Sequence, residues 1–168
     1  FPITGVPNNT HPAQVLNLSL GSSSASCPSS YQDAINRITA AGKNIVVAAG
    51  NNAGSSLNQS PANCQGVIAV AASSRAGYLT SYTDSGSNIT ISASGGGTKY
   101  KVYSTSNASL TSPSPALNAY ANEVGTSFSA PFVSGVISLM LSANPNLSPS
   151  EVKAILQQSA TPFPSGSD

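Results

Sequence analysis

The chain of 168 residues is long enough for one domain with a sizeable core, because 39% of its residues are hydrophobic. Only 7% are charged, against roughly 25% in an average soluble domain, and the formal net charge is +1. No cluster of Lys and Arg is present to engage phosphates, which argues against nucleic-acid binding. The longest apolar run falls far short of the roughly 20 residues that a bilayer requires, so no membrane span is predicted.

Two cysteines, Cys27 and Cys64, lack any spacing typical of a metal site, and a disulfide is the simplest interpretation. Closing a loop of that length would stabilise the fold by about 4 kcal/mol on the chain-entropy model. Two unpaired core thiols in a cytosolic protein remain the alternative. Uncharged polar residues replace the missing charges, and such a surface is commoner in secreted proteins, so we expect an extracellular location.

The first half of the chain has the pattern of a strand, a helix and a second strand. A β-type run at 15–20 ends in a glycine and a serine cluster, and apolar residues at helical spacing follow over 31–41. The next run, 45–49, is continuously apolar and is typical of a buried parallel strand. This order predicts a βαβ unit.

The second half begins with another buried-type strand at 67–72 and ends in helices. Less regular strands are predicted near 88–92, 99–104 and 119–123. The segment 127–142 is apolar on nearly every side, so we expect a buried helix. Ser148-Pro149-Ser150-Glu151 has the form of a capping box and predicts a further helix to about residue 159.

Ser127 stands at the start of the apolar helix, within Gly125-Thr126-Ser127. A helix N-terminus favours developing negative charge, and a rigid element fixes the hydroxyl, so this serine is a candidate nucleophile. The alternative is an ordinary N-cap serine. Asn51 follows the strand at 45–49, at the edge of a parallel sheet where sites form, and its amide could stabilise an oxyanion. A turn asparagine is the alternative there.

Three segments occur in a recognisable order: Asn17-Leu18-Ser19-Leu20-Gly21, then 46–51, then 125–131. Their order and wording resemble the subtilisin-like serine peptidases, or subtilases, over about residues 12–161. The segment 60–64, which carries a cysteine, is most similar to secreted bacterial members. The resemblance implies an α/β fold, a three-layer sandwich with a mostly parallel sheet, of which this chain would form an incomplete part.

The resemblance also implies roles for individual residues. Ser127 would be the nucleophile of an acyl-enzyme mechanism, with the Asn51 amide and the Ser127 N–H as the oxyanion hole. The substrate-binding residues implied are Leu18, Ser19, Leu20 and Gly21, which would pair with the substrate backbone, and Ala48, Ala49 and Gly50, which would line the pocket for the residue before the cut. Gln59 would close the floor of that pocket.

The general base and its acid are missing from the pattern. Subtilases run Asp, His and Ser along the chain, and the Asp and His segments should precede Leu18. His11 is the single histidine and matches a surface loop, and neither Asp33 nor Asp84 matches the missing acid. We therefore expect residues 1–168 to be the C-terminal part of one catalytic domain. A separate N-terminal chain, cut near Phe1 and still bound, would complete the domain and cover a bare sheet edge.

The resulting hypothesis is a serine endopeptidase acting on proteins or peptides, with this chain alone inactive. One alternative is a pseudopeptidase that binds peptides without turnover. An α/β-hydrolase esterase is a weaker alternative, because Gly125-Thr126-Ser127-Phe128-Ser129 lacks the final glycine of a nucleophile elbow. Calcium often stabilises the family, but the acidic residues here are few and scattered, so no cofactor or metal site is assigned.

Overall fold

The fold is taken from a computed structural model that describes residues 4–7, 9–107 and 119–165. The strands are β1 (Val15–Leu18), β2 (Ser22–Ser23), β3 (Asn44–Ala48), β4 (Gln59–Ser60), β5 (Ile68–Ser73), β6 (Ile89–Ser94), β7 (Val102–Thr105) and β8 (Tyr120–Glu123). The helices are α1 (Ser29–Ala40), α2 (Thr126–Ala143) and α3 (Pro149–Ser159). The cleavage expected near Phe1 lies outside the described residues.

A four-stranded parallel sheet organises the molecule, in the order β1-β3-β5-β6. Strands β3 and β5 lie in its centre, and the continuous apolar runs that form them are buried on both faces. This is the burial expected of parallel strands covered by helices. Within the described residues β1 is an edge strand, paired on one side only with β3.

Alternate residues of the central strands build two hydrophobic clusters, one on each face of the sheet. Val46 and Val70 pack towards α2 and α3, against side chains such as Ile137 and Leu156. On the other face Val47 and its neighbours pack with Ile35 of α1. The result is the three layers that the resemblance implies, with one helix on one face of the sheet and two on the other.

The Cys27–Cys64 disulfide is formed and joins the segment before α1 to the loop after β4. The predicted capping box is present as well: Ser148 Oγ accepts a hydrogen bond from the Glu151 N–H, and the Glu151 carboxylate accepts one from the Ser148 N–H. Both features tie loops to helix starts. The predicted βαβ unit is β1–α1–β3.

Two predictions need correction. The strand predicted for 15–20 ends at Leu18, because β1 pairs with β3 only over Val15–Leu18. Helix α2 is not buried all round: Phe132, Val136 and Leu139 are exposed, Leu139 at 72%. The sheet covers only one side of α2, where Ala130, Val133 and Ile137 lie in the core. By length and composition α2 could cross a membrane, but in this fold it packs on the sheet.

Candidate active site

Ser127 is the second residue of α2, and its hydroxyl does not cap the helix. The N-cap is Gly125, whose φ of 151° is rarely adopted by residues with a side chain, and it leaves the first turn without a side-chain cap. In the described part of the chain no partner is found for the Ser127 N–H. This N–H is therefore available at the positive end of the helix, where a developing negative charge is stabilised.

Ser127 is held against Ser19, just beyond the end of β1. The Ser19 hydroxyl donates to the Ser127 carbonyl at 2.7 Å, and the Ser127 hydroxyl donates to the Ser19 carbonyl at 3.3 Å. These two hydrogen bonds connect residues 108 positions apart in the sequence. They fix the start of α2 next to the segment 18–21.

Asn51 reaches the same helix start through its side-chain oxygen. Its Oδ1 accepts hydrogen bonds from the Thr126 N–H at 2.8 Å and from the Thr126 hydroxyl at 2.9 Å. Nδ2 lies beside Gly125, since a Cβ built on that glycine would be 3.5 Å from it. With Oδ1 fixed, Nδ2 is the donor left for a ligand. Asn51 is thus exposed to solvent while its side-chain oxygen is hydrogen-bonded to α2.

Thr126 joins the start of α2 to Gly50 and Asn51, a connection that the sequence alone did not predict. Its buried hydroxyl donates to Asn51 and accepts from the Gly50 N–H at 3.3 Å. The signal in the sequence is weak, because a threonine beside Ser127 is an ordinary helix-start residue. Its function in the fold is visible only when the end of β3 is brought to α2.

The residues predicted to form the substrate pocket differ in what they expose. The methyl groups of Ala48 and Ala49 are buried, so only their backbones could face a ligand. Gly50 is partly exposed, and the Gln59 side chain lies against it, because a Cβ on Gly50 would be 2.9 Å from Gln59 Cγ. The structure therefore brings Gly50 and Gln59 together.

The segment predicted to pair with a peptide follows β1 directly. Leu18 ends the strand and packs against the cluster on the α1 face, whereas the Leu20 side chain is 59% exposed. Gly21 approaches β4 closely, since a Cβ there would be 3.1 Å from the Ser60 carbonyl oxygen. Residues 19–21 belong to no described strand, and the Ser19 carbonyl already accepts the Ser127 hydroxyl.

Tyr82 supports the start of α2 through the turn at 95–96. Its hydroxyl lies 2.7 Å from the carbonyl oxygens of both Gly95 and Gly96, and the Gly95 carbonyl also accepts from the Gly125 N–H at 2.8 Å. Burial raises the pKa of the Tyr82 phenol above its usual value, which keeps the donor protonated. The turn at 95–96 is thereby fixed next to the N-cap of α2.

The site lacks a general base among the described residues. His11 is exposed in the segment before β1, and its backbone N–H bonds to the Asn9 side chain. No group of three or more His, Cys, Asp and Glu side chains in the described ranges is arranged to hold a metal ion.

The fold and site define a class: an α/β protein in which a helix-start serine, an adjacent backbone N–H and a carboxamide converge beside an open sheet edge. The sequence profile of the subtilase family matches residues 3–168. The chain belongs to the subtilase family. The predicted α/β fold class is confirmed by the likeness to a solved structure that is described in the next paragraph.

Named relatives are peptidases. The chain is 41% identical over 163 residues to an extracellular protease of Xanthomonas campestris, covering 96% of this chain and 27% of that protein. It is 36% identical over 151 residues to subtilisin DY of Bacillus licheniformis, and the match covers 88% of this chain and 49% of that protein. A solved protease of Pseudoalteromonas arctica superimposes with a TM-score of 0.89 at 40% identity, covering 98% of this chain and 49% of that one. The chain therefore spans between about a quarter and half the length of these relatives.

Proposed function

We propose that this chain supplies the nucleophile and the oxyanion hole of a serine endopeptidase. The observation that carries the proposal is the double hydrogen bond from Thr126 to Asn51 Oδ1, which leaves Nδ2 beside Gly125 and close to the start of α2. Nδ2 and the Ser127 N–H are then two donors fixed before any reaction begins. Preorganised donors of this kind stabilise the oxyanion of acyl transfer.

In the proposed reaction Ser127 Oγ attacks the scissile carbonyl carbon while its proton passes to a general base. The carbonyl oxygen becomes an oxyanion and accepts hydrogen bonds from Asn51 Nδ2 and the Ser127 N–H. Collapse expels the amine, which takes the proton from the base, and leaves an acyl ester on Ser127. Water then attacks the ester by the same route and releases the acid.

The base and its acid, a histidine and an aspartate, would come from the N-terminal part of the same catalytic domain. Two features of the described residues support a complement at this place: the open edge of β1 and the exposed apolar side chains Phe132, Val136 and Leu139 of α2. A large apolar surface of this kind marks a contact site. The proposal requires that part to be present, whether joined to this chain or bound to it.

We further propose that the enzyme acts outside the cell on proteins or peptides. Relatives from Xanthomonas campestris and Dichelobacter nodosus are named extracellular proteases, the second at 34% identity over 165 residues. The disulfide supports this location, since disulfides persist in oxidising compartments.

The test uses the complete catalytic domain and its Ser127→Ala variant. Hydrolysis of a protein substrate and labelling of Ser127 by a fluorophosphonate should both be lost in the variant, whereas Ser134→Ala should retain them. Normal hydrolysis by Ser127→Ala would refute the assignment. The pseudopeptidase alternative predicts peptide binding with no labelling of the parent protein, because the probe requires an activated serine.

A further inference from the structure

Asp84 lies in the segment between β5 and β6, fully buried, and its carboxyl group contacts the loop that carries Asn51. It has no contact with the reacting groups described above. Two side-chain hydrogen bonds and one backbone hydrogen bond connect it to residues 50–54 instead. The mechanism proposed above leaves this buried carboxyl group without a function.

The contacts of Asp84 lie on both sides of Asn51. Its backbone N–H donates to the Gly50 carbonyl at 2.9 Å, immediately before Asn51. Its Oδ1 accepts from the Asn52 N–H at 2.8 Å, immediately after Asn51. A single residue thus fixes both peptide groups that flank the oxyanion-hole amide.

Oδ1 also accepts from the Gly54 N–H at 2.8 Å, which closes the loop around Ala53. Ala53 has φ of +53°, a left-handed conformation that is uncommon for a residue with a side chain. Such a conformation persists only where the surroundings determine it. The two N–H groups on either side of Ala53 converge on one carboxyl oxygen, and this holds the turn.

The other carboxyl oxygen has no partner in the described part of the chain. Oδ2 is buried and unpaired, and it occupies the space where a Cβ of residue 50 would stand. A buried polar atom without a partner costs free energy. Asp84 therefore lowers the stability of the fold through Oδ2, while its Oδ1 orders the loop 50–54.

We propose that Asp84 is a positioning residue for the oxyanion hole, because it holds the loop 50–54 so that the Asn51 amide faces Ser127. This inference rests on the proposed function. A shift of the loop would leave the nucleophile on α2 in place but would move one of the two oxyanion donors. Misplacement by about 1 Å can cost 10²-fold in rate.

The test is a double-mutant cycle in the complete catalytic domain, with kcat and KM measured separately. We expect Asp84→Ala to lower kcat by about 10- to 100-fold with KM nearly unchanged, since loss of an oxyanion donor itself costs about 10²–10³. In an Asn51→Ala background the same substitution should lower kcat by less than about twofold, because Asp84 acts through Asn51. Asp84→Asn keeps an acceptor oxygen and should restore kcat to within about threefold of the parent.

Gln32→Ala is the matched control. Gln32 also bridges two parts of the chain: its side-chain amide donates to the Gln65 carbonyl and accepts from the Gln65 N–H, and neither residue belongs to the loop 50–54. Its kcat should equal that of the parent. If Asp84→Ala does not fold, Asp84→Ser takes its place, because the shorter side chain cannot reach both N–H groups.

Two results would overturn the inference: an undiminished kcat in Asp84→Ala, or the same fold loss in the parent and in Asn51→Ala. A failure of the proposed function has a different signature. In that case Asn51→Ala itself would leave kcat unchanged, whatever Asp84→Ala does.

Discussion

Pro131 has no N–H to offer the carbonyl of Ser127, four residues earlier in α2. In a regular helix the residue at this position donates its backbone N–H to that carbonyl oxygen. The free carbonyl instead accepts the Ser19 hydroxyl at 2.7 Å. A proline inside the helix thus creates the acceptor through which the segment after β1 is joined to Ser127, the proposed nucleophile.

Removal of the Ser19 hydroxyl should therefore impair catalysis without unfolding the protein. We expect Ser19→Ala to lower kcat/KM by about three- to tenfold, since one neutral hydrogen bond contributes about 0.5–1.5 kcal/mol. Steady-state kinetics of the complete domain would measure it. Ser26→Ala, an exposed serine elsewhere, is the control and should show no change. Equal kinetics for both variants would contradict the prediction.

A side chain at position 50 should be tolerated badly for two separable reasons. Gly50 has φ of +115°, and a Cβ there would collide with the Asp84 carboxyl group and Gln59. Gly42 has φ of +75° but open space around it, so Gly42→Ala carries only the backbone strain of about 1–3 kcal/mol. Urea unfolding should show a larger loss for Gly50→Ala than for Gly42→Ala. If both variants lose the same free energy of unfolding, the collision at position 50 does not contribute.

The disulfide should account for a large part of the stability. Cys27 and Cys64 are separated by 37 positions, and a loop of that length corresponds to about 4 kcal/mol on the chain-entropy model. Replacing both cysteines with alanine should lower the free energy of unfolding by about this amount in urea titrations. Dithiothreitol should destabilise the parent protein and leave the double variant unaffected. A reductant effect on the double variant would point to another cause.

The start of α3 should weaken in acid. Two hydrogen bonds lower the pKa of Glu151 below its usual value. The larger effect comes from the Ser148 hydroxyl and the smaller from the Ser148 N–H. A carboxyl group whose folded pKa is lowered stabilises the fold above its unfolded pKa, and that contribution is lost as the pH falls through the folded pKa. The Tm difference between the parent and Glu151→Gln should therefore shrink below about pH 4. In a Ser148→Ala background this Tm difference should depend less on pH. A Tm difference that does not change with pH in the parent background would refute the prediction.

The parallel sheet and its layers could be predicted because the information is local. Runs such as 45–49 are apolar throughout, and the capping box at Ser148 and Glu151 lies within four residues. The pairing of Cys27 with Cys64 followed from an even count. These features do not depend on how distant segments meet.

The remainder depends on tertiary contacts that no local pattern encodes. An apolar helix does not reveal which of its sides a sheet will cover, so the exposure of Phe132 and Leu139 was missed. The environment of Asp84 arises only when the segment between β5 and β6 meets the loop after β3. Thr126 was overlooked for the same reason, since its partners Gly50 and Asn51 are 76 and 75 positions away.

Helix α2 crosses the whole parallel sheet and contacts β1, β3, β5 and β6. Ser127 therefore lies on a helix that could not move without disturbing its contacts with all four strands of this sheet. In the proposed function, adaptation to different ligands would fall to the segment 18–21, because Asp84 holds the loop 50–54 and Ser127 keeps its place on α2 until the sheet unfolds.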